Sequence, residues 1–261
     1  MRKLKVCGIQ IETKKNRKGN LKKLKELLDK AGKEKPDFIL IPEMFEIVAK
    51  PEDVHKYTHP IPCELTEMLS DYAKNFNANI IGGSFFEEDN KKVYNTSVIF
   101  NRKGEIIGKY RKMHLFDAFG FGESKAITPG ERPFVAELDE VRFGVAICYD
   151  IRFPEIFRYY ADKGTNIVFV PAAFFQPNHD HWYLNVCSRA LDNTMFIATA
   201  NQTGRYWVGR SMAVNPWGIP VASAGTEEGY YIADINLNLI NQVREKLPTM
   251  AGRRFKVDLM G

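Results

Sequence analysis

Short runs of this chain are apolar at nearly every position and then stop on a residue able to do chemistry. Phe38-Ile-Leu-Ile41 runs into Pro42 and Glu43. The stretch "VRFGVAICYDIRFPE" (141–155) carries an apolar run from Val141 to Ile147 onto Cys148, then sets Tyr149, Asp150 and Arg152 directly after it. Asn166 to Val170 is another such strand. A strand that is apolar throughout is covered on both faces, which calls for sheets buried under helices or other sheets. The amphipathic segments between the runs can supply that cover.

The helical periodicities are specific. Asn20 is expected to cap a helix in which Leu21, Leu24, Leu27, Leu28 and Ala31 share one stripe, with Gly32 as its stop. In residues 64–76, Leu65, Met68, Leu69, Tyr72, Ala73 and Phe76 repeat at helical spacing. Pro154 opens a helix that ends at Gly164, residues 180–193 form another, and residues 237–246 a last one. Strands are predicted at 4–11, 38–41, 79–86, 92–101, 105–111, 133–138, 141–148, 166–170, 195–200, 207–214, 219–223 and 229–235. Asn101–Gly104 and Asn215–Gly218 read as turns. The order is βαβαβββ followed by ββαβαβββα, two halves alike in element order though not in sequence. Two mixed sheets face to face with helices outside satisfy this pattern. No linker rich in Pro, Gly or Ser interrupts it, so one domain over residues 1–261 is expected. The basic tail after Pro248 is expected to pack on a neighbour.

Composition narrows the class of function. With 44% hydrophobic residues the chain can bury a large core, and no apolar run reaches the eighteen or so residues of a membrane span. The N-terminus lacks the apolar region and cleavage site of a secretory signal, so a cytoplasmic protein is expected. Four cysteines, at 7, 63, 148 and 187, are too scattered for a zinc site or a disulfide framework. The net charge of +5 comes from the first 35 residues, where thirteen Lys/Arg face four Asp/Glu. No aromatics interleave there, so a solvated face is expected rather than a nucleic-acid platform. His179 and His181 lack further ligands at metal spacing, and Gly120-Phe-Gly122 lacks the third glycine of a dinucleotide loop. Neither a metal nor a cofactor is expected. Asn95-Thr-Ser97 and Asn201-Gln-Thr203 match the glycosylation sequon, which carries little meaning in a cytoplasmic chain.

Three strand ends carry complementary chemistry. A thiol at a strand end followed by a sharp turn resembles a nucleophile elbow, with the next backbone N–H groups, starting at Tyr149, open to an oxyanion. The thiolate is the reactive form, so Cys148 needs a base, and Glu43 is a carboxylate of the right kind. Lys112, closing a third strand in "GKYRKMHLF", can favour the thiolate and hold negative charge. Ligands gather at strand carboxyl ends in such arrangements. Residues 113–132 form a long irregular Gly-rich loop of the kind that is usually functional. Arg152 and Glu155 are expected to brace the turn after Cys148 rather than touch substrate.

These segments resemble the nitrilase superfamily, the carbon–nitrogen hydrolases. "PDFILIPEMF", "GKYRKMHLF" and "VAICYDIRFPEIFR" are similar to its Glu, Lys and Cys segments, and the likeness continues through "VFVPAAF", "HWYLNVCSRALDN" and "SMAVNPWGIPVASAGTEEG". The resemblance implies a four-layer αββα sandwich and a homodimer. It places the catalytic residues at Glu43, Lys112 and Cys148, with a second glutamate at Glu123 in the long loop. Phe174 and Asn201 are the residues expected to contact substrate. The nearest branch is that of the Nit amidases, whose Thr-Thr-Gly segment is replaced here by Phe174–Trp182. An amidase acting on a small linear amide through a cysteine thioester is therefore expected. Hydrolysis of an N-carbamoyl compound or of deaminated glutathione, and a true nitrilase, are the alternatives within the class. A non-catalytic binding protein on the same fold is the alternative outside it, and a nucleic-acid partner of the basic segment a third.

Overall fold

The structure, a computed structural model, describes residues 3–259; the outermost residues of the expected domain, 1–2 and 260–261, lie outside the described residues. The chain runs β1 (Leu4–Gln10), α1 (Arg17–Gly32), β2 (Phe38–Leu40), α2 (Glu64–Phe76), β3 (Asn79–Ile81), β4 (Phe85–Asp89), β5 (Lys92–Phe100), β6 (Ile106–Arg111), β7 (Phe134–Leu138), β8 (Val141–Val145), α3 (Pro154–Asp162), β9 (Ile167–Ala172), α4 (His179–Asn193), β10 (Phe196–Asn201), β11 (Met212–Val214), β12 (Pro220–Ser223), β13 (Gly229–Ile235) and α5 (Asn238–Lys246). Short 3-10 turns cover Pro51–Tyr57, Glu123–Lys125 and Cys148–Arg152.

Two mixed sheets result. One has the order β13-β1-β2-β3-β5-β4, with β6 also on β5; the other is β12-β11-β10-β9-β8-β7. Each is built on three parallel strands, β1-β2-β3 and β8-β9-β10, flanked by antiparallel ones. The likeness of the two halves is real, with one exchange. β13 leaves the second half and pairs along the whole of β1, Leu4 opposite Ile235 and Gln10 opposite Gly229.

The apolar runs are covered on both faces because the sheets stack. Phe38 of β2 lies between the sheets, stacked on Phe169 at 5.2 Å and edge-on to Phe143 at 5.7 Å. On the outer face of the first sheet, Cys7, Ile9, Ile39 and Ile41 meet the leucines of α1 and α2. On the second sheet, α3 comes close at Gly144, where a Cβ would stand 2.7 Å from the Tyr160 ring. This is the αββα arrangement. Among the described residues no helix is long and apolar enough to cross a membrane.

Some boundaries differ from the sequence reading, and the differences serve the site. Asn16, not Asn20, caps α1, its side chain accepting from the Gly19 N–H at 3.1 Å. Asn20 is buried one turn further in and donates to the carbonyls of Lys14 and Glu46, tying α1 to the loop after β2. The strand expected over 79–86 breaks at Gly82–Ser84. Gly83 has φ +56°, and a Cβ there would collide with the Pro42 carbonyl oxygen. The break lets Ser84 accept from the Met44 N–H at 3.1 Å, next to Glu43. Residues 207–211 are irregular rather than strand. Part of the basic N-terminal segment has an internal use: Arg17 pairs with Glu46 and Glu64. Within the tail, Arg253 pairs with Asp162 of α3.

Removing the Phe38 ring from between the sheets leaves a cavity that rigid strands on both sides cannot close. Phe38→Ala is expected to cost about 3–5 kcal/mol in urea unfolding. A cost under about 1 kcal/mol would mean that the inter-sheet core is loosely packed there.

Candidate active site

The pairing of β8 with β9 continues for one bond beyond the strand, Ala146 N–H to the Phe169 carbonyl at 3.0 Å, before the chain turns sharply. Cys148 sits at that turn with φ +48°, a left-handed conformation that a non-glycine residue adopts only when its surroundings impose it. Asp150 imposes it. Its carboxylate is fully buried and accepts from the Ile147 N–H at 2.8 Å, the Tyr110 hydroxyl at 2.7 Å and the His114 N–H at 3.0 Å. The His114 Nδ1 lies 2.7 Å from the same carboxylate. Tyr110 and His114 stand two residues either side of Lys112, so one carboxylate fixes the cysteine turn against the segment that delivers the lysine. Arg189 of α4 holds the far end of the turn, donating to the Ile151 carbonyl at 2.9 Å.

Lys112 follows β6, its N–H donating to the Asn95 carbonyl at 2.9 Å. Its ammonium lies 3.0 Å from Glu43 Oε1 and 2.8 Å from Glu123 Oε2. Lysine side chains are rarely sealed from solvent, yet Lys112 and Glu43 are only 2% and 1% exposed, so this is an ion cluster inside the protein. Burial alone would push the Lys112 ammonium towards losing its proton. The negative charges of Glu123 and Glu43 outweigh that and hold its pKa well above the usual range. Glu43 comes from the end of β2; its other oxygen accepts from the Ala173 N–H at 2.7 Å, just past β9, and its carbonyl accepts from Gln202 at 2.9 Å. Both sheets therefore hold this one residue. Glu123 reaches in from the long loop and is fastened by the Phe116 N–H at 2.7 Å. Asn95 donates to both glutamates, at 2.8 Å to Glu43 and 3.1 Å to Glu123.

Cys148 faces the same cluster. Burial pushes its thiol well above the ordinary value, Glu43 adds to the rise through its charge and a hydrogen bond, and Lys112 opposes it. The thiol is thus held in its protonated form beside a carboxylate that can accept the proton and an ammonium that can meet negative charge. Glu43, Lys112, Glu123, Cys148, Tyr149 and Phe174 all line one cavity of about 100 Å3, open at its mouth. Aromatic rings rim it: Phe121 meets Phe175 at 5.2 Å and Phe175 meets Trp207 at 6.0 Å. Among the described residues no group of His, Cys, Asp and Glu is placed to hold a metal, and His181 instead lies 3.4 Å from the Arg152 guanidinium.

The family model described as carbon-nitrogen hydrolase matches residues 4–245. The chain belongs to the carbon–nitrogen hydrolase family. The chain is 36% identical to omega-amidase NIT2-B of Xenopus laevis over 97% of its own length and 96% of that protein. It is 34% identical to the human omega-amidase NIT2, with the same coverage of both chains. The crystal structure of Saccharomyces cerevisiae Nit3, from branch 10 of the nitrilase superfamily, superposes with a TM-score of 0.89 at 33% identity, covering 97% of each chain.

Within this carbon–nitrogen hydrolase, two residues stand elsewhere than the sequence reading had them. Asn201 does not line the cavity. It is fully buried at the end of β10, accepting from the Phe174 N–H at 2.9 Å and donating to the Gly209 carbonyl at 2.8 Å, so it shapes the wall that Phe174 presents. Arg152, expected to brace the turn, lines the cavity with its guanidinium 5.0 Å above the Phe174 ring. The turn is braced by Asp150, which the sequence reading passed over. A carboxylate two residues beyond a buried strand end, with only apolar neighbours before it, was the available signal.

Because burial and Glu43 raise the Cys148 pKa, the proton stays on sulfur at rest. The 240 nm absorbance difference between the wild type and Cys148→Ala is expected to show no thiolate up to about pH 9, above the ordinary cysteine value. A thiolate step between about pH 5 and 8 would contradict the assignment of a resting thiol.

Proposed function

We propose that this enzyme is an ω-amidase: it hydrolyses the terminal carboxamide of a short acid that also carries a carboxylate, releasing ammonia. The observation that carries the reading is the meeting of Cys148, Glu43 and Lys112 on the wall of a mostly apolar cavity that Arg152 also lines. Glu43 takes the Cys148 proton as sulfur attacks the amide carbonyl carbon, and the carbonyl oxygen becomes an oxyanion. Lys112 and the Tyr149 N–H hold that charge. Collapse breaks the C–N bond, Glu43 returns its proton to the departing nitrogen as ammonia leaves, and a thioester remains. Water, deprotonated by Glu43, adds to the thioester; the acid leaves and the thiol is restored. Glu123 keeps Lys112 in place throughout. The two sheets with their helices act as one hydrolase domain.

Arg152 directs the choice of substrate. No carboxylate among the described residues pairs with it, and a guanidinium in an apolar wall is a ready partner for the carboxylate of the substrate. The relatives named omega-amidase support the same class. We further propose a homodimer through α4, where Tyr183, Leu184 and Leu191 are exposed next to Ile219 and Val221. The turn before β12 lies on α4, with Gly218 close to Leu191, which makes the patch continuous.

An ammonia-release screen over small amides, with Cys148→Ala as blank, tests the activity; full release by the blank would end this reading. Arg152→Ala is expected to raise KM roughly 10- to 100-fold for the monoamide of a dicarboxylate, the worth of a charge-assisted hydrogen bond. KM for a neutral amide of equal length should stay within about threefold. Equal effects on both substrates would remove Arg152 from carboxylate recognition.

A further inference from the structure

Asn95 heads one of the two glycosylation-like triplets, but it is 1% exposed and stands in the middle of the ion cluster. Its neighbour Thr96 lies opposite Arg111 in the β5–β6 register, which sets Asn95 beside Lys112. Its side-chain nitrogen serves both glutamates, while its amide oxygen, buried, has no partner. Exchanging the two ends of the amide would set an oxygen against two carboxylates, so chemistry fixes the orientation. The side chain keeps a pose that leaves its own acceptor unsatisfied.

Carboxylates sharing a site repel, and such pairs ordinarily relieve the conflict when one takes a proton. Here Lys112 cancels only one of the two negative charges. We propose that Asn95 is a positioning residue that holds Glu43 and Glu123 together around Lys112, by giving each a donor and neither an acceptor. A proton on Glu43 would remove the base; a proton on Glu123 would loosen Lys112. Three other groups face the pair: Lys112 from the end of β6, the Cys148 thiol from the elbow, and Arg152 across the cavity. The next residue of β5, Thr96, is directed to Glu87, which Lys109 and Arg111 already pair. The proposal rests on the reading of Glu43 as the base.

The test is the pH dependence of kcat/KM for ammonia release in Asn95→Leu and Asn95→Asp, with Cys148→Ala as blank. Release by the blank would defeat the catalytic reading and this proposal with it, whereas an unmoved acid limb with a silent blank defeats this proposal alone. The leucine removes both donors, and the aspartate offers at most one. The acid limb of kcat/KM reports the base of the free enzyme. Its midpoint is expected to rise by about one pH unit or more in Asn95→Leu, and at least as far in Asn95→Asp, where a third carboxylate joins the pair. KM for the amide should change less than about threefold, since Asn95 acts through the glutamates. Should Asn95→Leu fail to fold, the near-isosteric aspartate decides. An acid limb unmoved in a variant that melts like the wild type overturns the proposal, however far kcat falls.

Discussion

An ammonium held between two carboxylates and almost wholly shielded from bulk solvent is the interaction on which the rest of this structure depends. Each of the three charges alone would be expensive in an apolar interior, and a pair would be stable only with its remaining donors and acceptors met. Lys112, Glu43 and Glu123 meet that condition through the N–H groups of Ala173 and Phe116 and through Asn95. The cost of assembling them explains why so much surrounding chain is devoted to holding them. It also makes the cluster demanding: a missing donor leaves a buried charge uncompensated rather than merely a looser side chain.

The double-sheet architecture supplies those donors from two directions. The first sheet delivers Glu43 from β2 and Lys112 from β6; the second delivers Cys148 from β8 and the Ala173 N–H from β9. Neither sheet alone completes the site. Two braces cross the divide: Asp150 binds the cysteine turn to the lysine segment, and Gln202 beyond β10 holds the Glu43 carbonyl. Sliding one sheet against the other would break both. The stacked Phe38, Phe143 and Phe169 make such sliding costly, which is how a hydrophobic contact distant from the chemistry fixes its geometry.

The parts of this site that were legible from sequence are those that break a pattern. Glu43 and Cys148 end runs that are otherwise apolar, and Lys112 stands at a third strand end, so each is conspicuous against its neighbours. The supporting residues are legible only in space. Asn95 lies mid-strand and looks like an ordinary alternation residue until β5 and β6 pair. Asn201 sits at a strand end just as Glu43 does, yet its side chain turns to the backbone of 174 and 209 instead of the cavity. Arg152 was read as a brace because charge after a turn usually braces it, but Asp150 had already taken that place. The capping exchange between Asn16 and Asn20 has the same origin. Both are followed by basic, helix-compatible residues, and only the loop carbonyl of Glu46 decides which one is drawn inside.

The thiol itself completes the physical logic. A cysteine activated by a lowered pKa is nucleophilic at rest and equally open to oxidation. Burial and Glu43 take Cys148 the other way, so the sulfur stays protonated at rest, and in the proposed mechanism it becomes reactive only as its proton moves to Glu43. In that mechanism the transfer needs Glu43 held in place beside Lys112 and Glu123. The ammonium cannot secure this alone, because it balances a single charge. The neutral amide of Asn95 adds donors without adding charge, and so leaves the charge of Lys112 available for the oxyanion of the proposed mechanism.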